Sequence, residues 1–302
     1  MPCCKDLRRL GLGLQHDSPR DFVESQTCCS PSLYAVYRVT IATFFVVTAV
    51  ISFVTYVRYA LWFIFLTHWS YTIIAVNAVL QAVCVVRHYI DVHRKAVGVT
   101  SLQMSPVFKV IWVLQTIGFT TAPVVTSIYW VVIYSGIDVD LDNVNKHIIN
   151  SVYVFVDVFV TGIPVRLVHF LYSLAFGTVY IVFTLVYWAA GGRNVHGDPF
   201  IYSILDYSND PSTAVTWLLV VYVFLAAVHC ATYALYRLRV LLVRRCRRDN
   251  SLVYIEPETA DSEPVETKID IPEEHQMIEE HHVVAEHDEV EKRQMVEEHE
   301  IV

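Results

Sequence analysis

Six stretches of the chain are apolar over lengths that would cross a lipid bilayer, and this feature restricts the fold more than any other. A transmembrane helix needs about 20 predominantly apolar residues. The chain is 55% hydrophobic and only 17% charged, whereas an average chain has about a quarter charged residues. This composition argues against a soluble enzyme, a nucleic-acid-binding protein and a disulfide-linked scaffold. The sequence predicts an all-α, polytopic membrane bundle of six transmembrane helices, at about 36–57, 66–86, 107–134, 147–163, 169–190 and 214–236.

Basic side chains are concentrated on one side of the six predicted helices. Fifteen lysines and arginines lie in the N-terminal arm, the second and fourth loops and the stretch after the sixth helix, whereas the opposite side carries only Arg58, Lys146 and Arg193. Because cytoplasmic loops are enriched in lysine and arginine, we predict that both termini are cytoplasmic. The predicted regions are a cytoplasmic N-terminal arm at 1–32, a six-helix transmembrane domain at 33–240 and a cytoplasmic, basic and then acidic tail at 241–302.

The end of the chain is strongly acidic. Residues 249–302 contain 18 aspartates and glutamates against three basic residues, and Tyr254 is their only aromatic side chain. Since such a segment cannot bury a core, we predict that it is disordered and acts as a tether or as a docking segment for a cytoplasmic partner. Its histidines lack accompanying cysteines and the spacing of a compact metal site, so we predict no metal or other cofactor. They are His275, His281, His282, His287 and His299.

The cysteines fit this topology, because none lies in a loop on the side opposite the termini, where a structural disulfide would form. Five lie in the predicted cytoplasmic segments, and one of them is flanked by arginines on both sides. Two states are open for them: reduced, unmodified thiols or S-palmitoylated anchors. The candidate palmitoylation sites are Cys3, Cys4, Cys28, Cys29 and Cys246.

Polar side chains recur on one face of three of the predicted helices, at the angular step of about 100° per residue. The stripes are Thr67, Ser70, Tyr71, Asn77 and Gln81 in the second helix, His147, Asn150, Ser151, Asp157 and Thr161 in the fourth, and His169, Tyr172, Ser173, Tyr180, Thr184 and Tyr187 in the fifth. Polar groups facing lipid would lack partners, so the stripes should converge on an interior seam or cavity. The alternative is that they only join helices to one another. The residues predicted to line the cavity are Ser70, Tyr71, Asn77, Gln81, Asn150, Ser151, Asp157, His169 and Tyr180.

Asp157 requires either protonation or a cationic partner, because a carboxylate is costly inside a membrane. Arg166 lies nine residues further on, on the opposite face of a continuous helix. The partner must therefore come from another helix, unless the chain breaks near Gly162 and Pro164, which both favour a break.

Thr67 and His147 are predicted to lie at the same side of the membrane, each near the beginning of a helix. A hydroxyl group needs a neighbouring base to become a nucleophile at neutral pH, and imidazole suits this role. Asp157 is too far along its helix to orient His147, since ten residues span about 15 Å. The two residues are therefore a candidate catalytic pair without an assigned third member.

Several runs of residues in the membrane region are characteristic of one family. They are Phe65-Leu66-Thr67-His68-Trp69, Asn145-Lys146-His147-Ile148-Ile149-Asn150, Ile163-Pro164-Val165-Arg166-Leu167-Val168-His169 and Tyr187-Trp188-Ala189-Ala190-Gly191-Gly192. With these motifs the chain resembles the rolling stone proteins of insects and other animals over about residues 33–240. It departs from the family pattern at Tyr172-Ser173, where Tyr-Pro is expected. The resemblance implies a multi-pass plasma-membrane protein with a role in myoblast fusion during muscle development.

The family is more distantly similar to membrane hydrolases of the androgen-induced-gene type, which cleave fatty-acid esters of hydroxy fatty acids. That similarity implies that Thr67 is the nucleophile and His147 the base in an acyl transfer from a lipid ester. By spacing, Ser70 and Asn150 lie one helical turn inside this pair and are the candidate oxyanion donors. Three functions remain open: a fusion protein acting through partners, a threonine hydrolase and, last, a transporter, for which no inverted repeat is visible. The expected partners are the lipid bilayer, a lipid ester and a cytoplasmic protein bound to the tail, with no nucleic acid.

Overall fold

The computed structural model describes residues 12–27, 30–56, 61–94, 102–134, 136 and 139–253, and these residues are predominantly helical. The helices are α1 Pro31–Tyr56, α2 Leu66–Arg94, α3 Pro106–Ile128, α4 Leu141–Val144, α5 Asn150–Val160, α6 Phe170–Ala189 and α7 Pro211–Val253. A π-helical turn, Tyr129–Ile133, extends α3, and a second one, Asn145–Ile149, joins α4 to α5. The prediction of an all-α membrane fold is confirmed.

Among the described residues, five helical segments are long and apolar enough to cross a membrane, which is one fewer than predicted. They are Pro31–Thr55, Leu66–Arg94, Pro106–Ile133, Leu167–Ala189 and Pro211–Cys246. The fourth predicted span, 147–163, is not among them, although 141–160 is helical throughout. The polar side chains on its inner face, among them Lys146, Asn150 and Asp157, are buried. These polar side chains lower the mean hydropathy of the 141–160 segment. On its outer face, Val152 and Phe155 are exposed.

The 141–160 segment nevertheless runs between the two ends of the bundle. Near its beginning the Lys146 ammonium donates to His68 at the start of α2. At its end the Val160 carbonyl accepts from Ser25, and the neighbouring Glu24 carboxylate contacts His88 near the end of α2. The two histidines are 20 residues apart on α2 and so about 30 Å apart, and the 141–160 segment spans the same distance. In the part of the chain that the structure describes, six helical segments therefore traverse the bundle, and five of them are predominantly apolar.

Small residues on α2 allow the bundle core to pack closely. Ala75, Ala78 and Ala82 are buried against α1 and α3, in a cluster that also contains Phe45 and Tyr153. Close approach of backbones is the usual source of helix association in membranes, where lipid tails are as apolar as the side chains. The helix α7 packs less closely on the others than α1, α2 and α3 pack together, which leaves room for a cavity.

Residues 12–27 fold back onto one end of the bundle, here called the arm end. Phe22 is fully buried and packs between Phe108 and Trp112 of α3. Gly162 lies directly beneath this segment, because a β-carbon there would lie 2.5 Å from the Asp21 carbonyl oxygen. Glycine is therefore required at this close approach of two backbones.

The helix α7 continues to Val253, so the predicted start of the disordered tail at 241 is too early. The helix persists because its last turns are rich in leucine, valine and arginine, which favour or tolerate helical structure. The acidic residues 254–302, with the five tail histidines, lie outside the described residues, as do Cys3, Cys4, Cys28 and Cys29. Cys246 is exposed on α7.

Candidate functional site

A cavity of about 90 Å³ lies beside the beginning of α2, at the end of the bundle opposite the arm. Its wall is formed by the first residues of α2, by α3, α6 and α7, and by the loop at 202–205. The wall is almost wholly apolar, with Phe176, Leu218 and Leu225 as examples. Few polar groups reach it, and three of them, Thr67, Tyr180 and Tyr202, lie around its rim at the α2 terminus.

Hydrogen bonds from the two tyrosines hold the rim in place. The Leu66 backbone amide donates to the Tyr202 hydroxyl at 3.0 Å, which satisfies one of the free amides at the start of α2. The Tyr180 hydroxyl donates to the Ile64 carbonyl at 2.7 Å. Burial raises the pKa of Tyr202, and hydrogen bonds with Tyr180, Leu66 and Thr67 oppose part of this rise. Thr67 thus lies among phenolic hydroxyls that stay protonated at neutral pH.

His147 lies close to the cavity but does not line it. Its ring stacks on Tyr129, with ring centroids 3.6 Å apart, and Tyr129 is part of the cavity wall. The His147 carbonyl accepts from Trp130, and its Nδ1 atom is buried without a hydrogen bond among the described residues. Within that part of the chain no hydrogen bond joins Thr67 to His147, and their proposed cooperation stays a prediction.

His68, and not Thr67, faces the segment that carries His147. Its Nδ1 atom lies 2.6 Å from the Trp62 carbonyl, which can only accept, so the proton is on Nδ1. Its Nε2 atom then accepts from the Lys146 ammonium at 2.9 Å, and Lys146 also pairs with Asp142. The sequence analysis missed this series of hydrogen bonds, because it treated Lys146 only as a loop charge and assigned no role to His68.

The predicted polar stripes do face the interior, but most of their hydrogen bonds go to polar side chains of other helices, chiefly α3. Eight of the nine residues predicted to line a cavity are buried, and Ser151 is half-buried. Only Tyr180 belongs to the cavity wall. Each of the pairs Ser70 and Thr121, Gln81 and Gln115, and Ser151 and Thr126 is joined by a hydrogen bond. Tyr71 is bonded to Thr48 and Asn145, Asn150 to Thr126, and His169 packs edge-on against Trp112. Asn77 of α2 is also buried.

Asp157 is paired with Arg38 of α1, a residue that the sequence analysis did not single out. The guanidinium Nη1 lies 2.8 Å from Asp157 Oδ1, and both side chains are at most 1% exposed. The hydroxyls of Tyr37 and Tyr153 donate to the same carboxylate. The signal available in the sequence was a lone arginine within the first apolar stretch, since an intramembrane charge normally has a partner.

Arg166 binds the N-terminal arm, whereas the partner of Asp157 is Arg38. The chain does leave the helical conformation at Thr161, as predicted. Arg166 then donates to the carbonyls of Gly13 and Gln15, and its guanidinium lies 4.6 Å from the centre of the Trp112 ring. It fastens the arm rather than neutralising a carboxylate. In the portion of the chain that the structure describes, no three His, Cys, Asp or Glu side chains are grouped to hold a metal ion.

These features define a polytopic α-helical membrane protein with a polar, hydrogen-bonded interior and one apolar cavity beside a helix terminus. A family model described as Protein rolling stone matches residues 2–256. The chain belongs to the rolling stone family, and the resemblance identified from the motifs is confirmed. It is 24% identical over 245 residues to Protein rolling stone of Drosophila melanogaster, covering 78% of this chain and 89% of that protein. No solved structure matches the chain.

Proposed function

We propose that the chain is a plasma-membrane protein that acts in myoblast fusion and that it does so by holding the acyl chain of a membrane lipid in the cavity. Membership of the rolling stone family supports the first part. The observation that carries the second part is the cavity itself, because an apolar wall with a few hydroxyls at one end suits the first methylene groups of an acyl chain whose polar group stays at the rim. The free volume of about 90 Å³ holds only part of such a chain, so the rest requires an outward displacement of α7. With both termini in the cytoplasm, the rim faces the outside of the cell.

The arrangement of α7 supports lateral entry of such a lipid. Trp217, Leu218 and Val221 line the cavity from α7. On the other side of the same helix Leu219 and Val223 are more than 60% exposed and face the lipid. One loosely packed helix therefore separates the cavity from the bilayer, so a small displacement of α7 would admit an acyl chain.

Filling the cavity is expected to impair fusion. Gly177 lines the cavity, and a side chain there would extend from a β-carbon 3.4 Å from Leu225 into the free space. In myoblasts that lack their own rolling stone protein, Gly177→Leu should restore less than half of the fusion that the native chain restores, because it excludes the lipid. The measurement is the number of nuclei per myotube at equal surface expression.

The matched control is Val179→Leu, which enlarges a side chain of the same helix that is 59% exposed. It should restore fusion like the native chain. Full fusion with Gly177→Leu would disprove the role of the cavity, whereas failure of the native chain to restore any fusion would disprove the role in myoblasts.

A second candidate function is hydrolysis of a lipid ester by Thr67 and His147. It is favoured by the position of Thr67 on the cavity rim and by the stacking of His147 on Tyr129 of the same wall. In this hypothesis Thr67 Oγ attacks the ester carbonyl while His147 takes its proton. His147 then gives that proton to the ester oxygen as the carbon–oxygen bond breaks and the alcohol leaves, and water, deprotonated by His147, hydrolyses the acyl-threonine. Ser70 and Asn150 already bind Thr121 and Thr126, so Tyr202 is the better candidate to meet the developing oxyanion.

A fluorophosphonate probe tests this hypothesis on the full chain in detergent micelles. The native chain should be labelled, and labelling should fall at least tenfold, as an order of magnitude, in both Thr67→Ala and His147→Ala, because one removes the nucleophile and the other the base. Thr72→Ala, on an exposed face of the same helix, should be labelled like the native chain. Absence of labelling in a well-folded native chain would exclude the hydrolase and leave lipid binding as the function.

A further inference from the structure

A groove of about 580 Å³ lies at the arm end of the bundle, between residues 165–168 and the last turns of α7. It is separate from the cavity beside Thr67, which lies at the opposite end. Three arginines, Arg166, Arg237 and Arg244, line it together with two tyrosines, and none of the acidic residues that the structure describes does. The remaining wall is aliphatic, with Leu167 and Leu241 as examples.

The α7 wall of the groove is one continuous face of the helix. Its residues follow the helical spacing of three and four positions, which places them above one another. They are Tyr233, Tyr236, Arg237, Val240, Leu241 and Arg244. Such a face presents positive charge and apolar surface side by side, which is the combination that a headgroup phosphate and its glycerol and acyl portions require.

The arginines of the groove differ from the other basic residue in the same turns of α7. Arg239 is 2% exposed, and its guanidinium bonds to backbone carbonyls of the 158–162 segment. Arg237 and Arg244 are exposed, and within the described portion of the chain neither forms an ion pair with a carboxylate. Arg166 is held in position by its bonds to the arm, which fixes the third charge at the rim.

The groove lies at the depth where lipid headgroups are found. Arg237 is 26 positions after Pro211, which begins α7, and so lies about 39 Å along the helix axis. A bilayer with its headgroup regions is about 40 to 45 Å thick. If Pro211 is near one surface, Arg237 is at the level of the phosphates of the other leaflet.

We propose that this groove binds the phosphate-bearing headgroup of an anionic phospholipid from the leaflet at the arm end. Arg237 and Arg244 contact the phosphate, Arg166 supplies the third positive charge, and the tyrosines and aliphatic side chains pack on the glycerol and the upper acyl chains. Basic pockets between transmembrane helices are known to bind such headgroups. The strongly acidic residues 254–302 of the same chain are the other candidate occupant. The lipid preference of the native chain and its variants distinguishes a lipid headgroup from this acidic segment.

Spin-labelled lipids measure this selectivity with the full chain in membranes. The protein is reconstituted in phosphatidylcholine vesicles containing about one fifth phosphatidylserine. The relative association constants of spin-labelled phosphatidylserine and phosphatidylcholine are then compared by electron spin resonance. The native chain should prefer phosphatidylserine. In the double variant R237Q/R244Q, the ratio of the phosphatidylserine to the phosphatidylcholine association constant should fall about fivefold for each arginine removed. The variant R237K/R244K keeps both charges and should retain most of the native ratio.

The matched control is R94Q/R245Q, which removes two exposed charges at the same end of the bundle from outside the groove. Its preference should change by less than about twofold, because neither side chain lines the groove and solvent and salt screen exposed charges from a headgroup that they do not contact. Equal losses in the two double glutamine variants would overturn the proposal, because the preference would then reflect only the overall surface charge. Absence of a preference in the native chain would also overturn it. If a preference then emerged with Glu273, Glu274, Glu279 and Glu280 changed to glutamine, the acidic tail would be the occupant instead.

Discussion

Replacing Asp157 with alanine is expected to lower the free energy of unfolding by about 3 to 5 kcal/mol. The substitution would leave Arg38 charged and 1% exposed, with the hydroxyl of Tyr34 as its remaining hydrogen-bond acceptor. It would also remove the acceptor for the hydroxyls of Tyr37 and Tyr153. Breaking a buried ion pair on one side is costly because the remaining ion is uncompensated. The measurement is unfolding of the purified chain in mixed micelles as the fraction of denaturing detergent is raised.

A double substitution separates the ion pair from the general importance of this region. Arg38→Met with Asp157→Leu removes both charges and keeps side-chain volume, so it should cost less than Asp157→Ala alone. If the losses of stability in the two single variants simply added up to the loss in the double variant, this result would contradict the ion pair seen at 2.8 Å between the two side chains. A fully stable Asp157→Ala variant would show that the carboxylate contributes nothing to the assembly.

The apolar stretches predicted the fold well, because a bilayer imposes helical structure on any chain segment that crosses it. Five of the predicted spans are recovered as long apolar helices. The fourth was also predicted as an apolar stretch, but the polar side chains on its inner face leave it outside the group of long apolar helices. Hydropathy reports the average of both faces of a helix, and it cannot distinguish a polar interior face from a polar exposed one.

The candidate site was less predictable because its geometry depends on direction within a single helical turn. Thr67 and His68 are neighbours that point about 100° apart, and it is His68 that meets Lys146. The π-helical turn at Asn145–Ile149 further changes the phase of its segment. As a result Asn145, Lys146 and His147 are all buried, although they are consecutive, which a regular α-helical periodicity does not predict.

Arg38 shows a different reason for failure. A single charged residue in a long apolar stretch has little effect on the hydropathy that defines the span, and its partner Asp157 is 119 positions away. The sequence indicates that each charge needs a partner, but only the packing of α1 against the 141–160 segment shows that the two charges satisfy each other.

Replacing Arg239 with methionine is expected to lower the free energy of unfolding by about 2 to 4 kcal/mol. The Arg239 guanidinium donates to the carbonyls of Val158, Thr161 and Gly162, where α5 ends and the chain turns beneath the arm. Methionine keeps much of the side-chain volume but has no donor, so these carbonyls would remain buried without a partner. Detergent-induced unfolding of the full chain measures the loss.

Arg237→Met is the matched control, because it removes the same side chain two positions away at an exposed site and should change the stability by less than about 0.5 kcal/mol. Equal effects of the two substitutions would contradict a specific role for Arg239. Arg239→Lys should lose less than the methionine variant, since an ammonium can still donate to part of the set. Asp157→Ala and Arg239→Met should cost less together than the sum of their separate losses. Both release the 157–162 segment, and the arm that packs on Gly162 depends on that segment remaining in place.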